Sequence, residues 1–154
     1  GNMPKSRVLL LKEIEEGKFV FYSNYNSQKG KDIDENPNVS LLFFYIQSQR
    51  QIRINGTVEK LPRTKAVEYF KSRPLESQIS AAASPQSTII TKENLISNVE
   101  KIRSSDSLNC PEHWGGYSVS PKEFEFWQGQ PARLHDRIIY KKGDVGWDTY
   151  RLAP

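Results

Sequence analysis

Phe124-Glu-Phe-Trp-Gln-Gly-Gln-Pro-Ala-Arg-Leu-His-Asp-Arg137 is the stretch on which the reading of this chain turns. Two runs with strand-like alternation flank Gly129 and Pro131, which predicts a β-hairpin with a short loop. On the second arm Arg133, His135 and Arg137 recur at period two and would share one face. Leu134, Asp136 and Ile138 would take the other. Two guanidiniums flanking an imidazole, with Trp127 nearby, suit a flat, anionic, aromatic ligand. An exposed polar strand face beside a core tryptophan explains the same pattern, and from pattern alone this second reading is favoured.

Outward from the hairpin, the strands alternate with turn signals. Arg7-Val-Leu-Leu-Leu-Lys12 reads as a first strand capped by cations, Gly17 as part of a turn, and Phe19–Asn24 as a second strand. In a strand Arg7 and Lys12 would have opposite parity and lie about 17 Å apart at ~3.3 Å per residue, so they would serve different ligands or different parts of one. Exposed strand-end charges are the simpler alternative. Ser27–Asn36 reads as one or two helical turns ended before Pro37. Val39–Ile46 is nearly all apolar, as expected of a strand buried on both faces. Gln51–Glu59 alternates like a half-buried strand, with Gly56 marking a bulge or a close approach.

Pro62 closes that strand, and Thr64–Ser72 reads as a helix. Tyr69, Arg73 and Ser77 follow at steps of four, but Pro74 biases Arg73 out of the helical region, so two helices meeting at Arg73–Pro74 are expected. A phenol, a guanidinium and a hydroxyl converging at such a junction would suit a phosphate. Ser84–Thr88 reads as a loop. Thr91 would cap a helix to about Arg103, with Leu95, Ile96, Val99 and Ile102 as its apolar stripe. His113–Tyr117 leads into a strand Tyr117–Ser120, and the chain ends in a last strand from Trp147. Strands, then helices, then strands argue for an α+β class with a largely antiparallel sheet, and about seven strands in one domain favour a barrel.

Composition narrows the function classes. The chain has 154 residues, which suits a single domain, 1–154. No apolar run approaches the roughly 18–20 residues of a membrane span, and nothing near the start resembles a signal peptide. The single cysteine, Cys110, excludes an intramolecular disulfide and suits a cytoplasmic setting. The net charge of +4 is carried by scattered residues, so no nucleic-acid footprint is evident and a small phosphorylated ligand fits better. Cys110 and His113 alone do not make a metal site. Asp136 adjoins His135 and would point away from it, which argues against a Ser120-His135-Asp136 triad. A site with many cations and few candidate nucleophiles grips an anion and leaves the chemistry to a cofactor.

A set of short motifs then points to one family. They are Arg7–Lys12, Phe21-Tyr-Ser-Asn24, Asn36-Pro with Val39-Ser-Leu-Leu-Phe43, Arg50-Gln51, Tyr69-Phe with Ser72-Arg-Pro74, and Ser77-Gln-Ile79. Trp114-Gly-Gly-Tyr117, Glu125-Phe-Trp-Gln-Gly129, Arg133-Leu-His-Asp-Arg137 and Arg151-Leu-Ala-Pro154 are the most specific. In order and spacing the whole chain resembles the pyridoxamine 5′-phosphate oxidase family, flavoproteins of the FMN-binding split β-barrel class with peripheral helices. The resemblance implies a homodimer with FMN between subunits. It implies oxidation of pyridoxamine or pyridoxine 5′-phosphate to pyridoxal 5′-phosphate, with hydride passing to flavin and dioxygen reoxidising it to give hydrogen peroxide.

By position, the resemblance implies FMN contacts from Arg7, Val8, Leu9, Leu10, Leu11, Lys12, Tyr22, Ser23, Lys29, Gln51, Gln86, Ser87, Trp127 and Arg137. It implies substrate contacts from Lys12, Tyr69, Arg73, Ser77, Arg133 and His135, with Arg133 and His135 as the catalytic pair over the pyridine ring. One hairpin would then set the distance between hydride donor and acceptor. Two departures stand out. Gln28-Lys29 replaces the family's Arg-Lys pair, a loss of about 1.5–3 kcal/mol of phosphate grip if nothing, such as Lys31, compensates. The family also carries a segment before the first strand that helps cover the substrate, whereas this sequence begins at Gly1. Two alternatives are a related split-barrel oxidase acting on another aromatic substrate, and a non-catalytic flavin- or pyridoxal-phosphate-binding protein. Tyr69, Arg73 and Ser77 argue against the first, and the presence of both residue sets argues against the second.

Overall fold

A computed structural model describes residues 3–154. Strands β1 (Glu13–Glu15) and β2 (Lys18–Asn24) form a hairpin whose two turn residues, Glu16 and Gly17, both have positive φ (50° and 74°). That geometry matches the right-handed twist of the strands, and a glycine at the second position relieves half of its steric cost. Helix α1 (Gln28–Glu35) follows, capped by the Ser27 side chain, which accepts from the Gly30 N–H. Strands β3 (Asn38–Tyr45) and β4 (Arg50–Lys60) pair antiparallel. Helices α2 (Arg63–Ser72), α3 (Leu75–Ala83) and α4 (Lys92–Arg103) come next, then β5 (Trp114–Gln128), β6 (Asp136–Lys142) and β7 (Trp147–Arg151).

The seven strands form one antiparallel sheet with a branch at β5. Its order is β1-β2-β5-β4-β3, with β6 and β7 leaving from β5. Strand β4 lines one edge of β5 throughout. The other edge is divided, since β2 pairs with the first half of β5 and β6 with the second. At the division Lys122 is the extra residue of a bulge, where Asn55 faces Glu123 and Gly56 faces Pro121. A bulge tolerates the missing proline N–H. A Cβ on Gly56 would lie 2.3 Å from the Ser120 carbonyl oxygen, so the close approach expected there is real.

The sheet curls into a barrel around Phe21, Val58, Tyr117 and Val119. Phe19 on β2 meets Phe43 on β3 at 6.2 Å between ring centroids, although β5 and β4 separate those strands in the sheet order. Helices α2 and α3 contribute the buried Ala66, Phe70, Ile79 and Ala83. Phe70 meets Trp114 edge-on at 5.3 Å. Asn98 and an Arg103–Glu76 fork at 2.8 Å tie α4 to α3.

The α+β, largely antiparallel class is as expected, and several local expectations change. Residues 7–12 form no strand: they run as an arm whose backbone hydrogen bond to the sheet, among the described residues, is Lys12 N–H to Val20 O at 2.9 Å. The parity argument for Arg7 and Lys12 therefore lapses. Strand β3 is not buried on both faces, because it is an edge strand whose Leu42 and Phe44 are exposed. The expected strand Tyr117–Ser120 and the first hairpin arm are one continuous strand, β5. The second arm begins only at Asp136. Arg133 lies in a 3-10 turn, with φ of 62°, and His135 in the following loop, so neither shares a strand face with Arg137. In α4 no residue is fully buried, and Ile96 is exposed.

Candidate active site

A cavity of about 610 Å³ opens between the N-terminal arm, β2 and the α2–α3 junction. The arm supplies Val8, Leu9, Leu10 and Lys12, and β2 supplies Tyr22 and Ser23. The helices supply Tyr69, Arg73 and Ser77, with Gln86 and Trp114 completing the wall. Pro74 does break the helix, yet Tyr69, Arg73 and Ser77 stay together, because Arg73 sits extended (φ −75°, ψ 152°) as the hinge between α2 and α3.

Arg73 is the most consequential group at this end. Its guanidinium carbon stands 4.8 Å from the Trp114 ring centroid. Its Nη1 is buried without a hydrogen-bond partner, and burial holds its pKa below the ordinary value. An orphaned, desolvated cationic donor costs free energy until an anion meets it. Trp114 stacks on Tyr22 at 5.6 Å, and Tyr22 on Tyr69 at 3.9 Å. Lys12 Nζ lies 6.0 Å from the Tyr69 ring centroid. Arg63 donates to the Trp114 carbonyl at 2.7 Å, anchoring the start of β5. Burial, and then the neighbouring Glu13, pushes the Tyr22 phenol well above its usual range, so it stays protonated.

The opposite end of the wall leads to a second cation. Lys29 is buried, and its Nζ donates to Ser23 Oγ (2.7 Å), Ser27 Oγ (3.1 Å) and Gln86 Oε1 (3.2 Å). All three acceptors are neutral. Burial, and secondly the charge of Arg7, lowers its pKa. Ser87, beside Gln86, takes a positive φ of 71°. Asp32 fastens the arm by accepting from Lys5 at 2.8 Å, with Arg7 at 4.0 Å. The same carboxylate takes the Gln28 amide at 2.9 Å, so Gln28 is engaged on α1, and Lys31 is exposed and does not line this cavity. Arg7 and Leu11 flank the lining residues without lining the cavity themselves.

The remaining site residues gather elsewhere. Gln51, Trp127 and Arg137 stand in register on β4, β5 and β6. Gln51 and Trp127 line a cavity of about 490 Å³ with Arg50 and Asp136. His135 packs on Trp127 at 4.8 Å and lines a further cavity with Arg151 and Leu152. Arg133 is exposed. The hairpin thus keeps Trp127, His135 and Arg137 close, but within one chain it brings neither Arg133 nor His135 into the cavity of Tyr69, Arg73 and Ser77.

Reading the sequence missed three groups that organise this end. Glu125 is buried and accepts at one oxygen, Oε2, from Arg53 (2.7 Å) and Arg137 (2.9 Å). Asp136 accepts from Gln130 at 3.0 Å and from Arg151, and these two hold its carboxyl below the usual range. The Gln130 backbone N–H donates to His135 Nδ1 at 3.1 Å. An acidic residue between two aromatics on a buried strand, as in Phe124-Glu-Phe126, is the signal that would have singled out Glu125.

Comparison with known proteins bears directly on this arrangement. Residues 1–104 match the family described as pyridoxamine 5′-phosphate oxidase, and residues 114–154 match the pyridoxine 5′-phosphate oxidase C-terminal dimerisation region. The chain belongs to the pyridoxamine 5′-phosphate oxidase family. Among relatives named pyridoxine/pyridoxamine 5′-phosphate oxidase, that of Leptospira biflexa is 46% identical over 155 residues, covering 98% of this chain and 73% of its own length. The one from Polynucleobacter asymbioticus is 47% identical, covering 100% and 74%.

Among solved structures, PhzG from Burkholderia lata, in complex with tetrahydrophenazine-1-carboxylic acid, superposes with a TM-score of 0.90 at 27% identity, covering 97% of this chain and 75% of that one. A pyridoxamine 5′-phosphate oxidase-related, FMN-binding protein from Nostoc punctiforme shares the fold, with a TM-score of 0.76 at 14% identity, covering 96% and 80%. The fold is the split barrel of the pyridoxamine 5′-phosphate oxidase family.

Proposed function

We propose that this chain is an FMN-dependent oxidase converting pyridoxamine or pyridoxine 5′-phosphate to pyridoxal 5′-phosphate, and that it works as a homodimer. The observation carrying this reading is one cavity whose wall runs from the partnerless guanidinium of Arg73 to the Ser23 and Gln86 groups that hold the buried Lys29. A buried ammonium and a half-buried guanidinium with one buried, unpartnered nitrogen, separated by aromatic walls, suit two phosphates, one on the cofactor and one on the substrate. FMN, when bound, would supply the redox chemistry, a hydride acceptor for the substrate C4′ carbon with dioxygen as the final acceptor.

The chain's own residues bind and orient. Lys29, Ser23, Gln86, Ser87 and Arg7 would hold the FMN phosphate, and Val8–Lys12 and Tyr22 would contact the flavin. Arg73 with Tyr69 and Ser77 would hold the substrate phosphate, and Lys12 would contact both cofactor and substrate. Gln51, Trp127 and Arg137 belong to the flavin side of the hairpin, Arg133 and His135 to its substrate side. Within one chain Gln51, Trp127 and His135 line cavities other than that of Tyr69, Arg73 and Ser77, so a complete site would take the arm cavity of one protomer and the hairpin of its partner.

The test is purification with FMN, addition of pyridoxine 5′-phosphate under air, and measurement of pyridoxal 5′-phosphate absorbance. Absence of product with flavin bound rejects the reaction. Arg133→Ala and His135→Ala are expected to lower turnover while FMN stays bound, and equal loss of flavin in both would move them out of the substrate site. A second reading draws on PhzG, whose solved complex holds an unphosphorylated aromatic acid at a TM-score of 0.90. Arg73→Ala separates the two. It is expected to raise KM for the phosphorylated substrate by about 10- to 100-fold, the loss of a charge-assisted bond of about 1.5–3 kcal/mol. An unchanged KM favours the PhzG-like reading.

A further inference from the structure

We infer that Gln130 is a positioning residue that fixes His135 as its Nε2–H tautomer, so that the imidazole acts as a hydrogen-bond donor and not as a proton acceptor. The backbone N–H of Gln130 can only donate, and it points at His135 Nδ1 from 3.1 Å. Nδ1 must therefore present its lone pair, and a neutral ring then carries its proton on Nε2. Trp127 holds the ring from the side, with 4.8 Å between centroids at 46°. With Nδ1 occupied and one face covered, the outward polar group is Nε2–H.

The loop is fastened so that this amide stays aimed. Gly129 N–H donates to Gln49 O at 2.9 Å, and Leu134 N–H closes the 3-10 turn on Pro131 O at 3.2 Å. The Gln130 side chain donates to Asp136 Oδ2 at 3.0 Å, while Arg151 on β7 takes the other oxygen, Oδ1. Leu152 N–H to Arg137 O, 3.0 Å, then ties the chain after β7 back to β6. Gln130 thus grips the loop at both ends, its amide on His135 and its carboxamide on Asp136. An orienting partner that sets which imidazole nitrogen bears the proton also sets what the ring can do.

The part of this inference that concerns chemistry rests on the oxidase reading, with His135 facing substrate. There a donor at Nε2 stabilises negative charge on a ring oxygen or on the pyridine system and takes no proton from the hydroxyl or amine that C4′ bears. A base at this position would need Nε2 free, which the Gln130 amide prevents. No covalent step is assigned to the imidazole.

Two arms test it on the full chain. The first is NMR at about pH 8.5, where an ordinary imidazole is neutral. His113→Gln assigns the second histidine. A protonated Nε2 and a 15N–15N coupling across the hydrogen bond from the Gln130 amide to His135 Nδ1 are expected. A protonated Nδ1, or no coupling, overturns the inference. In Gln130→Ala, which keeps the N–H and loses the tie to Asp136, the coupling is expected to fall, and an unchanged value overturns the side chain's positioning role.

The second arm is turnover of His135→Gln and His135→Leu with FMN bound. A glutamine amide reaches about as far as Nε2 and still donates, so its loss is expected to stay within about tenfold, the size of one neutral hydrogen bond. Leu is expected to lose clearly more. A base role requires about 10²- to 10⁴-fold loss in both, and that result overturns the donor role. If the wild type itself oxidises nothing, the oxidase reading fails, and the NMR arm still decides the tautomer.

Discussion

On the proposed reading Lys29 trades stability for binding. Its ammonium is buried among Ser23, Ser27 and Gln86, all neutral, and Arg7 adds a like charge. Burial, and secondly the charge of Arg7, disfavours the ammonium, which is why its pKa falls below 10.5. In the unfolded chain the amine keeps its proton up to 10.5, whereas the folded one releases it earlier. Between those two values the unfolded state binds more protons, so stability rises with pH across that window. Lys29→Met is expected to remove this rise in urea titrations of the flavin-free protein at a series of pH values. The same variant is expected to weaken FMN binding by about 10- to 100-fold, a charge-assisted bond of about 1.5–3 kcal/mol, read by quenching of flavin fluorescence. A variant that keeps both the pH slope and the affinity would remove Lys29 from the anion site. Sequence alone offered Lys29 only through the family motif, because its burial depends on Ser23 and Gln86 arriving from distant parts of the chain. By contrast Tyr69, Arg73 and Ser77 were legible from spacing, and the break at Pro74 left their convergence intact.

Among the elements, β5 carries the most. It completes the barrel with its first half and carries the hairpin with its second, and Gly56 and Lys122 mark the change. The bulge was legible because a glycine inside an alternating run has few other uses. Adding a Cβ there, 2.3 Å from a backbone oxygen, forces the two strands apart. Gly56→Ala is expected to cost about 1–3 kcal/mol in urea unfolding, and a neutral result would mean that the bulge yields freely. Further along, Glu125 bridges the guanidiniums of β4 and β6. Glu125→Ala is expected to destabilise by about 2–4 kcal/mol, less than a fully buried pair would, since the Arg53 side chain is 39% exposed. Glu125→Gln, which keeps an acceptor oxygen, is expected to recover part of that loss, and if it recovers none the charge and not the hydrogen bonding is what counts. The second hairpin arm was the least legible element. Period-two spacing in Arg133-Leu-His-Asp-Arg137 describes a strand, but Pro131 starts a 3-10 turn, and Ala132 and Arg133 take positive φ (54° and 62°). Non-glycine residues in that region leave no compositional trace.

At the scale of the molecule the unsatisfied quantity is apolar surface. Leu42 and Phe44 on β3 are 62% and 58% exposed, and Trp147 on β7 is 41% exposed. Phe124, Phe126, Ile138, Tyr140 and Trp147 line an open cavity of about 620 Å³. Contiguous apolar surface of this kind marks an interaction site. It also explains why Val39–Ile46 reads as buried on both faces, since a hydrophobic pattern records which surfaces leave water without saying which chain covers them. The strands lining this cavity fall within residues 114–154, the stretch matching the family's dimerisation region. The proposed homodimer would cover this surface and, in the same step, bring the hairpin of one protomer to the arm cavity of the other. Assembly and flavin binding should therefore fail together. Tyr140→Asp with Trp147→Asp places two carboxylates on the open face. Sedimentation velocity at micromolar protein is expected to show monomer in place of dimer, with folding checked by circular dichroism. FMN affinity is expected to fall by at least about tenfold, because on the proposed reading Gln51, Trp127 and Arg137 would no longer complete the flavin site. A folded monomer with undiminished affinity would show that one chain binds flavin alone, and a variant that stays dimeric would place the interface on another face of the barrel.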